Sequence, residues 1–221
     1  MILAINTAQA VHELALLREN PANPGEFELL AEKRWPDAHS DVEELTPFLK
    51  TMLEELGLSK EDLTDIVVVK GPGPFTSLRT GVAFANALAA GLGARLHALT
   101  SFELLRRKAA IPSVLPLLHA GRLDIGLEWE GEIKVGPLAP LLSVLPHGSL
   151  SIVAELPETL RDELHSIALE KGWKIVEGHE LQTLGEMVMT YGLTGLESSE
   201  NVEPAYLRGA HITKSSDPWK Q

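Results

Sequence analysis

A glycine- and proline-rich loop, Gly71–Pro74, follows a short run of β-branched residues and offers the clearest arrangement for chemistry in this chain. The run Ile66–Val69 predicts a buried strand. The loop must end it, because glycine permits positive φ and proline fixes the turn geometry. Thr76 or Ser77 is then predicted to cap a helix rich in small residues. A strand, a tight loop and a helix start direct several backbone N–H groups to one point, which is an arrangement that binds anions and phosphates.

The loop is not a Walker A motif, because the G-x-x-x-x-G-K-[ST] spacing is absent and no lysine follows the second glycine, Gly73. The residues alone favour a plain tight turn with a capped helix over a phosphate site. Arg79 lies one turn into the predicted helix and could pair with a phosphate or a carboxylate. A structural ion pair within the chain is an equally good interpretation of Arg79.

Other arrangements that could support catalysis or metal binding are missing from the sequence. His12-Glu13 and His179-Glu180 lack the second histidine that a H-E-x-x-H zinc helix requires. His39 and Glu43 share only an i, i+4 relation. The chain has no cysteine and no G-x-S-x-G elbow, which excludes disulfides, thiolate catalysis and cysteine-ligated zinc. We expect no metal site and no catalytic nucleophile.

Composition restricts the partners. The 221 residues carry a formal net charge of −12, and no dense run of lysine and arginine occurs. An acidic chain repels a phosphate backbone, so any nucleic acid is expected to be held by another protein. The opening MILAIN has no basic region before an apolar core, and the weakly polar stretch from Gly81 to Ala94 is too short to span a bilayer. We expect a cytoplasmic protein that makes no membrane contact.

The first hundred residues predict alternating strands and helices. A capping box at Ser40 and Glu43 and a glycine at Gly57 delimit one predicted helix, Ser40–Leu56. The other predicted elements are strands Met1–Ile5, His12–Arg18, Glu26–Trp35 and Ile66–Val69, and a helix over Thr76–Gly91. The order β-β-β-α-β-α is typical of the RNase H-like superfamily of actin, sugar kinases and Hsp70 ATPases. We therefore predict an α/β, two-lobe RNase H-like fold.

The second half of the chain is less regular, and Thr100-Ser101 is the predicted boundary between lobes 1–100 and 101–221. Gly136–Pro146 is interpreted as a surface connection or a partly buried loop. The predicted helices are Phe102–Lys108, Pro157–Lys171 and Glu180–Tyr191. The predicted strands are Ser113–Leu118, Leu123–Trp129, Gly131–Val135, Ser149–Leu156 and Trp173–Val176.

Four segments resemble those of a known family. GPGPFTSLRTGVAFANALA, from Gly71 onward, resembles the GPGSFTGLRIGVAFAKGLA signature of the bacterial TsaB (YeaZ) family. MILAINTAQ resembles the opening strand MILAIDTS of that family, and His39-Ser40 resembles its HSE segment. Pro204–Arg208 resembles its C-terminal PxYLR. The resemblance is specific in the loop, moderate at both ends and faint between about Ile111 and Gly195.

The resemblance implies a function without catalysis. Members of the family are partners of the enzyme TsaD, which makes threonylcarbamoyladenosine on tRNA. The implied partners are a TsaD-like enzyme and a TsaE-like ATPase, with a homodimer when the partner is absent and only indirect contact with tRNA. No cofactor is implied, although a nucleotide can lie at the interface with the partner.

The resemblance also implies which residues lie at the interface. The helices Ser40–Leu56 and Thr76–Gly91 would pack against counterparts on TsaD in a four-helix contact. The loop residues expected beside the partner or a nucleotide are Gly71, Gly73, Phe75, Thr76 and Arg79. The residues expected in the partner interface are Phe48, Met52, Phe84, Tyr206 and Arg208.

Two departures from the family pattern bear on alternative functions of the chain and on the role of its second lobe. Superfamily ATPases place an aspartate after the first strand to help hold magnesium, and this chain has Asn6 there, which is neutral. Asn6 therefore argues against the alternative of a small ATPase or sugar-kinase-like enzyme, and it also fits a simple turn former. The DAR…EVY segment of the second lobe is represented by His119–Gly126 without its acid and tyrosine, which leaves the role of that lobe open. A peptidase is a third alternative, for which the sequence offers no nucleophile and base.

Overall fold

The computed structural model describes residues 1–36 and 44–207, which form two β-sheets flanked by helices. The first sheet has six strands in the order β11-β5-β4-β1-β2-β3. These strands are β1 (Ile2–Asn6), β2 (Val11–Glu19), β3 (Phe27–Pro36), β4 (Asp65–Val69), β5 (Arg95–Leu99) and β11 (Glu197–Ser199).

Two apolar strands form the centre of the first sheet. Every residue of β1 and β4 is buried, as parallel strands covered on both faces require. β1 pairs with β4 and β4 pairs with β5 in parallel, whereas the β1–β2–β3 hairpins are antiparallel. Three hairpin-linked strands followed by parallel strands with helical crossovers confirm the predicted RNase H-like fold.

The second sheet has five strands in the order β10-β9-β6-β7-β8. They are β6 (Val114–His119), β7 (Asp124–Trp129), β8 (Glu132–Pro137), β9 (Ser151–Glu155) and β10 (Lys174–Val176). The helices are α1 (Leu45–Glu55), α2 (Phe75–Leu92), α3 (Ser101–Ala109), α4 (Leu138–Ser143), α5 (Glu158–Lys171) and α6 (Leu184–Tyr191). None of the described helices is long and apolar enough to cross a membrane.

The crossover rule places helices α1 and α2 on the same face of the first sheet. α1 connects β3 to β4 and α2 connects β4 to β5, so both crossovers advance in the same direction across the sheet. Since such crossovers are right-handed, the two helices cover the same face. α1 packs on β2 and β3, and α2 packs on β1, β4 and β5.

The chain returns to the first sheet after completing the second. α6 packs on β1, β2 and β3, and β11 adds an antiparallel strand beside β5. Leu184, Met187 and Val188 of α6 lie in the same core as β1 and β4. The lobe boundary at Thr100-Ser101 stays a prediction. That prediction did not include the return of α6 and β11 to the first sheet.

The predicted cap of α2 is wrong. The helix begins at Phe75, directly after Pro74, and no side chain caps it. Thr76 and Ser77 therefore lie inside the first turn, where the Ser77 hydroxyl is 3.5 Å from the carbonyl oxygen of Pro74. The extended backbone of Pro74, with ψ 131°, already sets the start of the helix.

Three further expectations need correction. The connection Gly136–Pro146 contains α4, because leucines at helical spacing bury one face against α5. The predicted helix Glu180–Tyr191 starts only at Leu184, because Thr183 forms a capping box with Glu186. Strands β5 and β11 were not expected. The capping box at Ser40 and Glu43 and the segment His39-Ser40 lie outside the described residues.

Candidate functional site

The glycines of the loop after β4 allow close backbone contacts. Gly71 has φ +99°, and its carbonyl oxygen accepts a hydrogen bond of 2.7 Å from the N–H of Ser101. A Cβ atom on Gly71 would lie 2.6 Å from the carbonyl oxygen of Ala205, and one on Gly73 would lie 2.8 Å from the Cα atom of Ala8. Both distances are shorter than real Cβ contacts, so these positions require glycine. The loop joins the turn after β1 to the C-terminal segment.

An exposed cation–aromatic stack lies directly beside this loop. The rings of Phe75 and Tyr206 stack with centroids 5.1 Å apart and planes 29° apart. The guanidinium carbon of Arg79 lies 5.1 Å from the centroid of the Phe75 ring. Phe75 is 42% exposed and Tyr206 is 41% exposed. We call these three residues the aromatic surface.

Arg79 is available to a binding partner. In residues 1–36 and 44–207, the ion pairs within 4 Å do not include Arg79. Of the two interpretations left open by the sequence, a structural ion pair therefore has no support among the described side chains. The guanidinium lies over the Phe75 ring, and Arg79 as a whole is exposed.

Residues 202–207, which we call the C-terminal strap, position Tyr206. The side-chain amide of Asn86 on α2 donates to the carbonyl oxygen of Val202 and accepts from its N–H, both at 2.9 Å. The N–H of Ala205 donates to the carbonyl oxygen of Lys70 at 2.7 Å. Leu207 packs against Phe102 and its neighbours under the second sheet. The strap thus connects α2, the loop and the second sheet.

The remaining predicted interface residues differ in accessibility. Phe48 on α1 is half-buried, and its ring centroid lies 5.0 Å from that of Trp35. Phe84 on α2 is also half-buried and packs against the first core. Met52 lies inside that core with 6% exposure, so it offers little surface to a partner. Thr76 is exposed, and Arg208 lies outside the described residues.

Asn6 ends β1 in a buried polar cluster. Its side-chain nitrogen donates to Oε1 of Gln9 and to Oε2 of Glu13, both at 2.9 Å. Its side-chain oxygen accepts from the N–H of Ala8 at 3.1 Å, which forms the turn expected of an asparagine after a strand. The side-chain ammonium of Lys108 pairs with the same Glu13 carboxylate. The magnesium–nucleotide group of the superfamily does not fit here, since the position is neutral and a lysine occupies the adjacent space.

A charged cluster at the opposite end of the first sheet was missed by sequence reasoning. Asp65 accepts from Nε and Nη2 of Arg95, both at 2.8 Å, and from Nε2 of His97 at 2.9 Å. Burial raises the pKa of the Asp65 carboxyl, but the hydrogen bonds from Arg95, His97 and Thr64 outweigh it, so that the net pKa is lowered. Asp65 and Arg95 open onto a cavity of about 510 Å³. No motif marks this cluster, because Asp65 on β4 is 30 residues from Arg95 on β5 and meets Arg95 and His97 only when the two strands pair.

No described part of the chain gathers metal ligands. Within residues 1–36 and 44–207, no group of three histidine, aspartate or glutamate side chains could hold a metal ion. His39 and Glu43, which share helical spacing, lie outside these ranges.

Comparison with known proteins agrees with the motifs. The TsaD family, described as tRNA N6-adenosine threonylcarbamoyltransferase, matches residues 36–135. An uncharacterized protein of Mycobacterium tuberculosis is 30% identical over 161 residues, which is 71% of this chain and 72% of that protein. The tRNA threonylcarbamoyladenosine biosynthesis protein TsaB of Bacillus subtilis is 36% identical over 210 residues, which is 93% of this chain and 84% of that protein. The chain belongs to the TsaB family.

A solved relative supports the fold assignment. The structure of YeaZ from Pseudomonas aeruginosa superposes with a TM-score of 0.66, covering 93% of this chain and 99% of that chain at 18% identity. At that identity the likeness concerns the fold alone. Both lobes of this TsaB family member are included in the superposition, even though the sequence resemblance is faint over the second.

Proposed function

We propose that this chain is a non-catalytic scaffold that binds a TsaD-like enzyme and thereby supports threonylcarbamoyl transfer to adenosine in tRNA. Membership of the TsaB family supports a place in tRNA threonylcarbamoyladenosine biosynthesis. The observation that carries the binding function is the aromatic surface, where two segments that resemble the family meet in space.

The aromatic surface has the composition of an interaction hot spot. Tyrosine, phenylalanine and arginine are enriched in protein interfaces, and tyrosine and arginine are among the residues whose truncation weakens complexes most. Phe75 and Tyr206 are each about two-fifths exposed, and Arg79, whose guanidinium lies over the Phe75 ring, is exposed as well. A partner that covers them would remove apolar area from water and could pair a carboxylate or phosphate with Arg79.

The face formed by α1 and α2 extends this surface in the proposal. Phe48 and Phe84 are half-buried on these helices, so each retains area for contact. The small residues of α2, including Ala83 and Ala87, are exposed and would allow a partner helix to approach closely. A four-helix contact with the corresponding helices of a TsaD-like enzyme would cover this face.

The electrostatics support a scaffold rather than a tRNA-binding or catalytic subunit. A net charge of −12 disfavours direct contact with a phosphate backbone, so the tRNA would be held by the partner in the cytoplasm. The proposal also includes a nucleotide at the interface, a TsaE-like ATPase as a further partner, and self-association through the α1–α2 face in the absence of the enzyme. Light scattering of the isolated chain tests the last of these, and a monomer at high concentration would contradict it.

Co-elution with a purified TsaD homologue in size-exclusion chromatography tests the proposed function. The chain should co-elute at micromolar concentration and raise threonylcarbamoyl transfer to tRNA. Replacing one hot-spot side chain, in Phe75→Ala or Tyr206→Ala, should weaken the complex by about tenfold or more, equivalent to about 1.4 kcal/mol. Leu169→Ala is the matched control, because Leu169 is a large apolar residue with 86% exposure on α5, under the other sheet.

Two results would contradict the scaffold function. One is the absence of a complex together with no gain in transfer activity. The other is ATP turnover by the isolated chain that is abolished by changes in the loop, because it would support the alternative of an ATPase or sugar-kinase-like enzyme. A casein-cleavage assay separately tests the peptidase alternative.

A further inference from the structure

A buried ionic cluster lies where the two sheets approach each other, at the end of β1. The carboxylate of Glu13 on β2 and the ammonium of Lys108 on α3 form its centre, with side-chain exposures of 1% and 7%. Glu155 at the end of β9 joins from the second sheet and accepts a hydrogen bond from the N–H of Ala10. Charges buried this deeply are costly unless each is paired.

Glu13 collects donors from four elements. Besides Lys108, it accepts from Nδ2 of Asn6 at 2.9 Å and from the N–H of Leu184, the first residue of α6, at 3.1 Å. Nε of Arg34 on β3 lies 3.5 Å from Oε1 of Glu13. These donors fix the position of the Glu13 side chain, and the ammonium of Lys108 is its buried ion-pair partner.

The ammonium of Lys108 lies close to side-chain oxygen atoms of two residues. Its ammonium contacts Oε2 of Glu13 and lies 3.5 Å from Oε1 of Gln9, and its charge acts on the Glu155 carboxyl. The Glu13 carboxylate and the Gln9 amide oxygen are the type of ligand that hard divalent cations take. The surroundings of this ammonium thus resemble those of a bound metal ion.

We propose that Lys108 is the resident cation of this site, a tethered substitute for a divalent metal ion that keeps the space between the sheets closed to one. On this view the magnesium–nucleotide function of the superfamily was lost through two linked changes, a neutral Asn6 and an internal ammonium. The proposal concerns the space between the sheets and does not depend on the aromatic surface or on partner binding.

Removal of the ammonium should open a cation site. In Lys108→Ala, the oxygen atoms of Glu13 and Gln9 would face the vacated space, which water and a metal ion would occupy. With Mn²⁺ alone at millimolar concentration, this variant should show a raised melting temperature and bound Mn²⁺ by electron paramagnetic resonance. Wild-type protein should show neither effect. The double variant Lys108→Ala/Glu13→Gln, which lacks the central carboxylate, should also fail to respond.

Lys171 provides the matched control. It is a second buried lysine, but its ammonium donates to the backbone carbonyl oxygens of Ser143 and Leu145 at 2.9 and 2.6 Å, with no carboxylate in the contact. Lys171→Ala should lose stability to a similar degree without gaining Mn²⁺ binding. A general effect of deleting a buried lysine would instead make both variants respond.

Three results would overturn the proposal. They are Mn²⁺ binding by wild-type protein that is lost in Glu13→Gln, a folded Lys108→Ala that binds no metal, and equal metal responses of the Lys108 and Lys171 variants. If Lys108→Ala does not fold alone, recovery of its native circular dichroism on adding Mn²⁺ supports the proposal. Failure to recover, while Lys108→Gln is folded and also binds no Mn²⁺, rejects it.

Discussion

The side-chain hydroxyl of Thr7 donates a hydrogen bond of 2.8 Å to the backbone carbonyl oxygen of Ser77. This contact fixes the turn after β1 against the first turn of α2. Gly81 lies one turn further along the helix, and a Cβ atom placed on it would be 3.0 Å from the Cβ atom of Thr7 and nearer still to its hydroxyl oxygen. The close approach of turn and helix thus depends on a glycine that the loop motif alone does not explain.

Gly81→Ala should destabilise the protein by about 1–3 kcal/mol, because the added methyl group overpacks a buried contact. Gly91→Ala, on the same helix, is the control, since no atom lies within 4 Å of its added Cβ atom. That substitution should stabilise by about 0.5–1 kcal/mol through helix propensity. Urea denaturation measures both changes. Similar losses in the two variants would show that helix backbone effects, and not the contact with Thr7, are responsible.

Asn86→Ala should release the C-terminal strap. The substitution removes both hydrogen bonds to Val202, at a cost of about 1–3 kcal/mol. Amide hydrogen exchange of residues 202–207 should accelerate, and Tyr206 should lose its fixed position over Phe75. Thr80→Ala is the control on the same helix, because its hydroxyl donates to the carbonyl oxygen of Thr76 within α2. Unchanged protection of the strap in Asn86→Ala would show that the amide does not hold it.

Glu155→Gln should stabilise the protein increasingly as the pH rises. Burial raises the pKa of the Glu155 carboxyl above its ordinary value of 4.5, and hydrogen bonds from Ala10 and Gln9 with the charge of Lys108 oppose this only in part. The native state therefore retains a proton that the unfolded chain releases near pH 4.5, so this carboxyl favours folding most at low pH and progressively less above it.

The measurement is the difference in free energy of unfolding between Glu155→Gln and wild-type protein across pH. The difference should grow in favour of the variant from pH 4.5 to neutrality. A difference that is constant, or that favours wild-type protein more at higher pH, would mean that Lys108 and the hydrogen bonds outweigh the burial of the charge.

Asp65→Asn should destabilise the protein by about 1–2 kcal/mol at neutral pH, where the carboxylate binds Arg95 and His97. The expected loss of stability is small because the Arg95 side chain is 71% exposed, so solvent screens its ion pair with Asp65. The pKa of Asp65 is lowered from 3.8, so its contribution is present above pH 3.8 and is lost as the pH falls through the lower, folded value. Thermal unfolding should therefore separate variant and wild type at neutral pH and bring them together in acid. A separation that persists in acid would point to a packing effect.

The sequence was sufficient to predict those features that depend on local patterns. The buried run Ile66–Val69, the glycine loop and the three opening strands all follow from apolar periodicity and turn residues, and the structure confirms them. The order of these elements was enough to indicate the RNase H-like fold. Local patterns did not reveal α4. Pro137 and Pro140 favoured the interpretation of this segment as a loop, although proline is tolerated in the first turn of a helix.

Features that depend on contacts between distant segments could not be predicted. Family resemblance alone marked Phe75 as a loop residue beside the partner and Tyr206 as a residue of the partner interface, and nothing in their spacing indicates that their rings stack. Glu13 and Lys108 appear as ordinary surface-type residues until the fold brings them together. β11 consists of the polar residues Glu197–Ser199 and gains its strand character solely from pairing with β5.

The position of β11 and α6 has a consequence for how the protein is made. Because α6 and β11 complete the first sheet, a ribosome has to release residues 184–199 before the N-terminal lobe can reach its final form. Until then β5 remains an open edge and the apolar surface that α6 covers is unprotected. Nascent chains stalled beyond the second sheet are therefore expected to engage chaperones, and C-terminal truncations to reduce the yield of folded protein rather than trim a dispensable tail.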